Sequence, residues 1–288
     1  MKNIAKIIYE FSCLFIETII SILSVLFFSS YRVPFLYRKL NKRIDNNDVC
    51  YILCNGPSLQ SFFSNTDTSN KHIFVVNFFA SSDKFADLKP DNYIVLDNIL
   101  IGRAILTENT KKKVLDLYEK INSVTWPMVL YFPNNGDLNM LNKVVENKNV
   151  RICIYNMTPV DGLKTVSHFL YRLNLGMPRP QNISNAAIFC AINSGYKKIY
   201  LFGVEHSWLK NFDVNPDNHR IFVNDSHFYQ LDNIRYYKKG EYLRSIINIS
   251  KAFKSHFLLR RYADSRGAAI VNKTVTSFIE AYEFTEYK

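Results

Sequence analysis

The sequence predicts an α/β fold: a mostly parallel sheet with an N-terminal membrane-associating helix ahead of it. Three observations carry this expectation. From about Asp45 onward, short and nearly continuous apolar runs recur, as strands covered on both faces require. Longer helical patterns alternate with them, which favours parallel strands joined by crossovers. The first forty residues differ in composition, with one long apolar stretch followed by a cluster of cations. The chain therefore divides into residues 1–44, an anchoring helix with a basic juxtamembrane segment, and residues 45–288, one large domain.

Taken in order, the first element is the apolar stretch 11–29, whose only charge is Glu17. Its 19 residues just reach the roughly 20 that a spanning helix needs. Lys2 and Lys6 precede it, and Arg32, Arg38, Lys39, Lys42 and Arg43 follow. That asymmetry places the bulk of the protein on the cytoplasmic side, so the expected location is the cytoplasmic face of a membrane. No small-residue cleavage site follows the stretch, which disfavours a signal peptide. Glu17, with Glu10 at the edge, makes a spanning helix costly. A helix lying in the interface with its cations on headgroups is the rival.

Strands are predicted at 49–54, 73–77, 93–97, 128–132, 150–156, 198–204 and 268–272, and helices at 107–122, 138–147, 185–194 and 241–263. Residues 211–239 are polar, aromatic-rich and weakly periodic, and read as a long loop or lid. No internal repeat or linker divides the large domain.

Ligands of a doubly wound sheet bind beyond the carboxyl ends of its strands. The residues there are Asn55-Gly56-Pro57-Ser58-Leu59, then Asn77, Asp97-Asn98, Asn156, and Gly203-Val204-Glu205-His206. Amides and small polar groups of this kind suit a nucleotide's base, ribose and phosphate oxygens. Gly56 permits close backbone approach, and Ser58 is placed to cap the helix after it, whose N-terminus favours phosphate.

Composition limits the function classes. With 48% apolar and 15% aromatic residues the chain can build a core, so it is not disordered. Its charge of +11 calls for an anionic partner. The densest basic cluster lies beside the apolar helix and no RNP-like motif occurs, so nucleic acid is not expected. Cys13, Cys50, Cys54, Cys153 and Cys190 are scattered through apolar runs and read as reduced, buried thiols. No dinucleotide fingerprint, P-loop, nucleophile elbow, D-x-D pair or zinc spacing is present. No metal or other cofactor is expected.

Three blocks resemble the bacterial sialyltransferases of glycosyltransferase family 42 and, more loosely, the motility-accessory-factor glycosyltransferases. The first runs from Tyr51 to Leu59 through Asn55-Gly56-Pro57-Ser58, like the family's strand followed by N-G-P-S-L. The second runs from Asn182 to Gly203 and is similar to the family's polar turn, small-residue helix and G-Y-K-x-I-Y-L strand. The third, Asn224-Asp225-Ser226-His227-Phe228-Tyr229, is similar to the N-D-x-S-H-Y segment. The resemblance covers about 45–280. It implies a Rossmann-like fold of the variant GT-A type, metal-independent chemistry, a CMP-activated acid sugar as donor and a cell-surface glycan or glycolipid as acceptor at a bacterial inner membrane. It also implies that Asn55, Gly56, Pro57, Ser58, Asn77, Asp97 and Gly203 line the donor pocket. Ser184 and Asn185 would hold the donor's carboxylate or phosphate at a helix N-terminus, and His227 would be the general base.

The chain departs from the family at two places. Gln181-Asn182-Ile183-Ser184-Asn185 stands where the family has Q-R-I-T-S-G, without the arginine. Val204-Glu205-His206-Ser207-Trp208 replaces a segment that supplies a tyrosine hydroxyl near the leaving phosphate. Tyr229, Tyr236 and Tyr237 are substitutes for that hydroxyl, Arg220 and Arg235 are candidate cations, and His206 is the second candidate for the base. His72, His168, His219 and His256 have no supporting context. The departures leave the sugar open between sialic acid and another CMP-linked acid such as Kdo or pseudaminic acid. A homo-oligomer is compatible with the sequence. The alternative from another class is a non-catalytic nucleotide- or glycan-binding membrane-associated protein that retains the fold.

Overall fold

The computed structural model describes residues 2–29, 48–66, 68, 71–224 and 234–284. The large sheet uses β1 (Val49–Leu53), β2 (His72–Val76), β3 (Asn92–Ile94), β4 (Met128–Pro133), β5 (Val150–Tyr155), β6 (Lys198–Phe202), β10 (Ala269–Asn272) and β11 (Glu283–Phe284). Its helices are α1 (Lys2–Phe28), α2 (Leu59–Asn65), α3 (Lys84–Leu88), α4 (Glu108–Asn122), α5 (Leu138–Val144), α6 (Lys164–Arg172), α7 (Ile183–Ser194) and α8 (Glu241–Ser265).

Strand order is β11-β10-β6-β1-β2-β3-β4-β5, and every pairing in this sheet is parallel. The chain moves outward from β1 through β5, then returns with β6 on the other side of β1. That reversal places the topological switch point between β1 and β6, where such sheets open a crevice at their carboxyl ends.

Alternate residues of each strand serve two cores. Cys50, Ile52, Phe74 and Val76 pack with α7 and with Leu259, Tyr262 and Ala263 of α8. Leu53, Ile73 and Val75 pack on the opposite face with Leu59 and Phe62 of α2 and with Val114, Leu117 and Ile121 of α4. Both faces are thus dry, which is why the strands read as continuous apolar runs rather than alternating ones. Small residues let α7 sit against the sheet; Ala186, Ala187 and Ala191 are fully buried.

The predicted strands and helices are all present, with ends shifted by a few residues. The reading of 211–239 as a loop is corrected. A 3-10 turn (Ser207–Asn211) leads into a separate antiparallel sheet of β7 (Phe212–Val214), β8 (Ile221–Asn224) and β9 (Ile234–Tyr236). These strands are three or four residues long, β7 and β9 are mostly exposed, and the apolar run of β8 is only three residues, too short to recognise. His227 and Tyr229 lie outside the described residues, as does the basic run from Arg32 to Arg43.

The apolar N-terminal helix starts earlier than expected, at Lys2, and is long and apolar enough to cross a membrane. One stripe of it, Thr18, Ser21, Val25 and Ser29, is buried against the domain.

Candidate functional site

The switch point holds a cavity of about 190 Å³. Asn55, Gly56 and Pro57 reach it from the end of β1, Asn77 and Phe78 from β2, Asp97 from β3, and Gly203 to Trp208 from β6. Asn182, Ile183 and Ser184 close it at the start of α7. The structure therefore brings together Asn55, Gly56, Pro57, Asn77, Asp97, Ser184, Gly203 and His206. Ser58 and Asn185 are not part of the wall.

The β1 and β6 loops are tied together by backbone bonds. Cys54 N–H donates to Phe202 O at 2.9 Å and Gly56 N–H to Gly203 O at 3.0 Å. Gly56 has to be glycine, because a Cβ there would stand 1.5 Å from Glu205 Oε2 and 2.6 Å from the Gly203 carbonyl. That closeness places the Glu205 carboxylate, only 7% exposed, at the N-terminus of α2. Ser58 N–H donates to Glu205 Oε1 at 2.7 Å.

This corrects the expectation for Ser58, whose side chain makes no cap bond and whose hydroxyl is buried without a partner among the described residues. A built-in carboxylate compensates the α2 N-terminus where a phosphate was expected, and two anions at one helix start repel. Asn77 is likewise occupied. Its Oδ1 accepts from the backbone N–H groups of Leu96 and Asp97, so it holds the β2 and β3 ends in register. Asp97 Oδ1 caps its own turn by accepting from Ile99 N–H. Asn185 is fully buried, and its backbone N–H is used by the α7 cap.

The cap of α7 controls the chemistry of the site. Asn182 Oδ1 accepts the backbone N–H of Asn185 at 3.1 Å and the Ser184 hydroxyl at 2.6 Å. Its Nδ2 is therefore the atom facing His206 Nε2 at 3.1 Å, and an amide nitrogen can only donate. His206 Nε2 is an acceptor, so the neutral ring carries its proton on Nδ1. His256 Nε2, 3.0 Å from the same atom, must supply an N–H. The Nδ1 of His256 then accepts the Tyr282 hydroxyl at 2.8 Å. A helix cap thus fixes the tautomer of two histidines. His206 lines the cavity, and its Nδ1–H has no acceptor among the described residues, which leaves it available to a ligand.

Both rings stay uncharged at neutral pH. Burial, reinforced by the neighbouring His256, holds His206 well below the ordinary histidine range. Burial alone lowers His256 to about 3. Trp208 covers the exposed side of His206, with ring centroids 4.3 Å apart. A neutral ring with its Nε2 occupied is a hydrogen-bond donor at Nδ1, which revises the expectation of His206 as a base.

His256, Tyr282 and Glu205 are the partners sequence reading missed. His256 did leave a signal: with Ala252, Ser255, Leu259 and Ala263 it lies on the inward face of α8. A polar pair on a core-facing stripe needs partners.

Asn182 and Trp208 also border a second cavity of about 190 Å³, walled by Phe212, Val223, Arg235, Tyr237 and α8. No Lys or Arg among the described residues lines the first cavity, whereas Arg235 lines the second. Arg235 Nη2 donates to Tyr237 Oη at 2.7 Å, and Ser245 Oγ donates to the same oxygen at 3.2 Å. Of the other candidates, Arg220 sits over the exposed Tyr236 ring, away from both cavities. The first cavity offers amides, hydroxyls and the Asp97 and Glu205 carboxylates for hydroxyls and a base, and the second offers one cation for an acidic group. Among the described residues no group of three or more His, Cys, Asp or Glu could hold a metal ion. No protein-family model matches this chain, and no significantly similar relative is found among curated proteins.

Proposed function

We propose that this chain is a membrane-associated glycosyltransferase of the variant GT-A type. It transfers a nonulosonic acid, sialic acid or a similar sugar, from a CMP-linked donor to a hydroxyl of a cell-surface glycan or glycolipid. The work takes place at the cytoplasmic face of a bacterial inner membrane, without a metal. The observation that carries this reading is the pair of adjoining cavities at the switch point. One is polar, shaped by strand ends and lined by no Lys or Arg among the described residues, and the other holds Arg235. The three blocks resembling the sialyltransferases add the donor class, and α1 adds the membrane.

In this reaction the acceptor oxygen attacks the anomeric carbon as the bond from that carbon to the phosphate oxygen breaks. CMP leaves with the electron pair, and the acceptor's proton passes to His227, the base the resemblance supplies. His206 Nδ1–H donates to the departing phosphate, a fixed dipole aimed at developing charge. Asn55 and Asp97 face the nucleoside, and Arg235 faces the sugar carboxylate. The test is incubation with several CMP-nonulosonates and lipid-linked acceptors, reading CMP release. Release above the no-acceptor rate supports transfer, and none with any donor refutes it.

A second reading is favoured by Glu205. A buried carboxylate at the α2 N-terminus opposes phosphate there, which suits a glycan- or nucleoside-binding protein without turnover. Thermal shifts separate the two: stabilisation by CMP but not UDP or GDP supports the transferase, and stabilisation by glycans alone supports the binder.

A further inference from the structure

We infer that α1 lies in the plane of the membrane, seated in one leaflet with the globular domain docked along it, and does not cross the bilayer. This rests on the membrane association proposed above and specifies its geometry.

The second half of α1 is committed to the domain by hydrogen bonds. Thr18 Oγ1 accepts from Leu163 N–H at 2.8 Å, and Ser21 Oγ accepts from Asp161 N–H at 2.8 Å while donating to Asp161 O at 3.0 Å. Asn156 Nδ2 donates to Ser29 Oγ at 2.6 Å. Contact at this seam is close: a Cβ on Gly162 would stand 2.3 Å from Thr18 Oγ1 and 2.6 Å from its backbone nitrogen. Glu17 is paired with Lys254 at 3.1 Å, and Lys254 with Asp161 at 2.5 Å. The charge that makes a spanning helix costly is thus neutralised by the domain, beside water.

Length decides the rest. Between Lys6 and Glu17 lie ten residues, with Glu10 among them. At 1.5 Å per residue they extend about 15 Å, half of the roughly 30 Å hydrocarbon thickness. Crossing would require residues 17–29 to leave the domain, stranding Leu163 N–H and Asp161 N–H and breaking the Glu17–Lys254 pair.

Opposite the docked stripe, Tyr9, Ile16, Leu23 and Phe27 line one side of the helix. They are 70, 55, 47 and 76% exposed, respectively. Before Glu17 the other sides are apolar and exposed as well (Ile4, Ile7, Phe11), and a helix docked only through its second half and apolar elsewhere fits the acyl–headgroup boundary. Beside it, a groove of about 300 Å³ between α1 and α8 carries Arg179 and Lys251 next to Ile20 and Leu258, with Lys254 in the same groove held by Glu17 and Asp161. Cations flanking apolar side chains suit anionic lipid headgroups, and they place the domain flat on the bilayer.

Two measurements on the full chain test this. Inside-out inner-membrane vesicles carrying the protein with an N-terminal epitope and protease site are first floated, then digested. Co-flotation with cleavage of the epitope is expected, because both ends stay on the cytoplasmic side. Co-flotation with a protected epitope overturns the in-plane geometry. Failure to float overturns the membrane association itself and the inference with it. Ile16→Trp and Leu23→Trp, both at exposed positions, are then compared by brominated-lipid quenching after subtracting the signal of Trp126 and Trp208. Equal, shallow depths support the inference. A difference near the ~10 Å that separates them along the helix axis refutes it.

Discussion

The Nε2 atoms of His206 and His256 face each other at 3.0 Å, deep enough that both rings are excluded from charging at neutral pH. Asn182, Ser184 and Trp208 surround the first ring and Tyr282 the second. The pair therefore makes stability depend on pH. Below about 6.5 the unfolded histidines bind protons that the folded ones refuse. Stability is thus fully present above that pH and is lost as pH falls through it, toward about 3 for His256. By linkage His256 withdraws on the order of 1 kcal/mol at pH 5.5, and His206 acts in the same direction. In His256→Gln, which keeps an N–H toward His206 but does not titrate, the loss between pH 7.5 and 5.5 shrinks by that amount in denaturant melts. Parallel wild-type and variant curves would refute the assignment.

The Gly56 contact makes a sharper claim. Gly56→Ala drives a Cβ into both Glu205 and the Gly203 carbonyl. The first clash can swing away; the second is backbone. We expect a destabilisation of about 2–4 kcal/mol, the range of overpacked or strained sites. Adding Glu205→Ala does not restore it, and recovery in the double variant would show that the β1 and β6 loops are not held as described.

Glu205 distinguishes between the two functional readings. Glu205→Gln keeps an oxygen for Ser58 N–H but removes the charge at the α2 start, at a cost of about 1 kcal/mol in stability. If a donor phosphate sits close by, CMP binds several-fold more tightly to the variant in calorimetric titration. Unchanged affinity places the anion farther away, toward Arg235.

The large sheet was legible because its central strands are covered on both faces, so Val49–Leu53 and residues 199–202 read as unbroken apolar runs. The same physics hid the small sheet: Phe212–Val214 and Ile234–Tyr236 bury little and are set by pairing rather than pattern. Within the site, strand ends were readable from topology alone, which is why Asn55, Gly56 and Gly203 came together. The Glu205 cap was not, since it joins positions 147 apart in sequence. A serine before a helix looks like its cap until a distant carboxylate is found in that place. His256 was passed over for the same reason, since its partner is 50 residues away.

The fixed tautomer leads to the last prediction. Only Nδ1–H of His206 is available to a ligand, because Nε2 is held by Asn182 and His256. An asparagine amide nitrogen reaches near the imidazole Nδ1 position, whereas a glutamine amide reaches near Nε2. His206→Asn therefore retains part of the CMP-release rate, and His206→Gln loses about 10²-fold, the scale of one removed transition-state donor. The same assignment is readable without any substrate. In ¹⁵N-histidine spectra of the full chain in detergent, His206 shows a protonated Nδ1 and a bare Nε2 at pH 7.5, and adding CMP moves the Nδ1 resonance. A base would show the reverse pattern, with Nδ1 bare and His206→Gln the better-tolerated change, and that result would return the proton-accepting role to this ring.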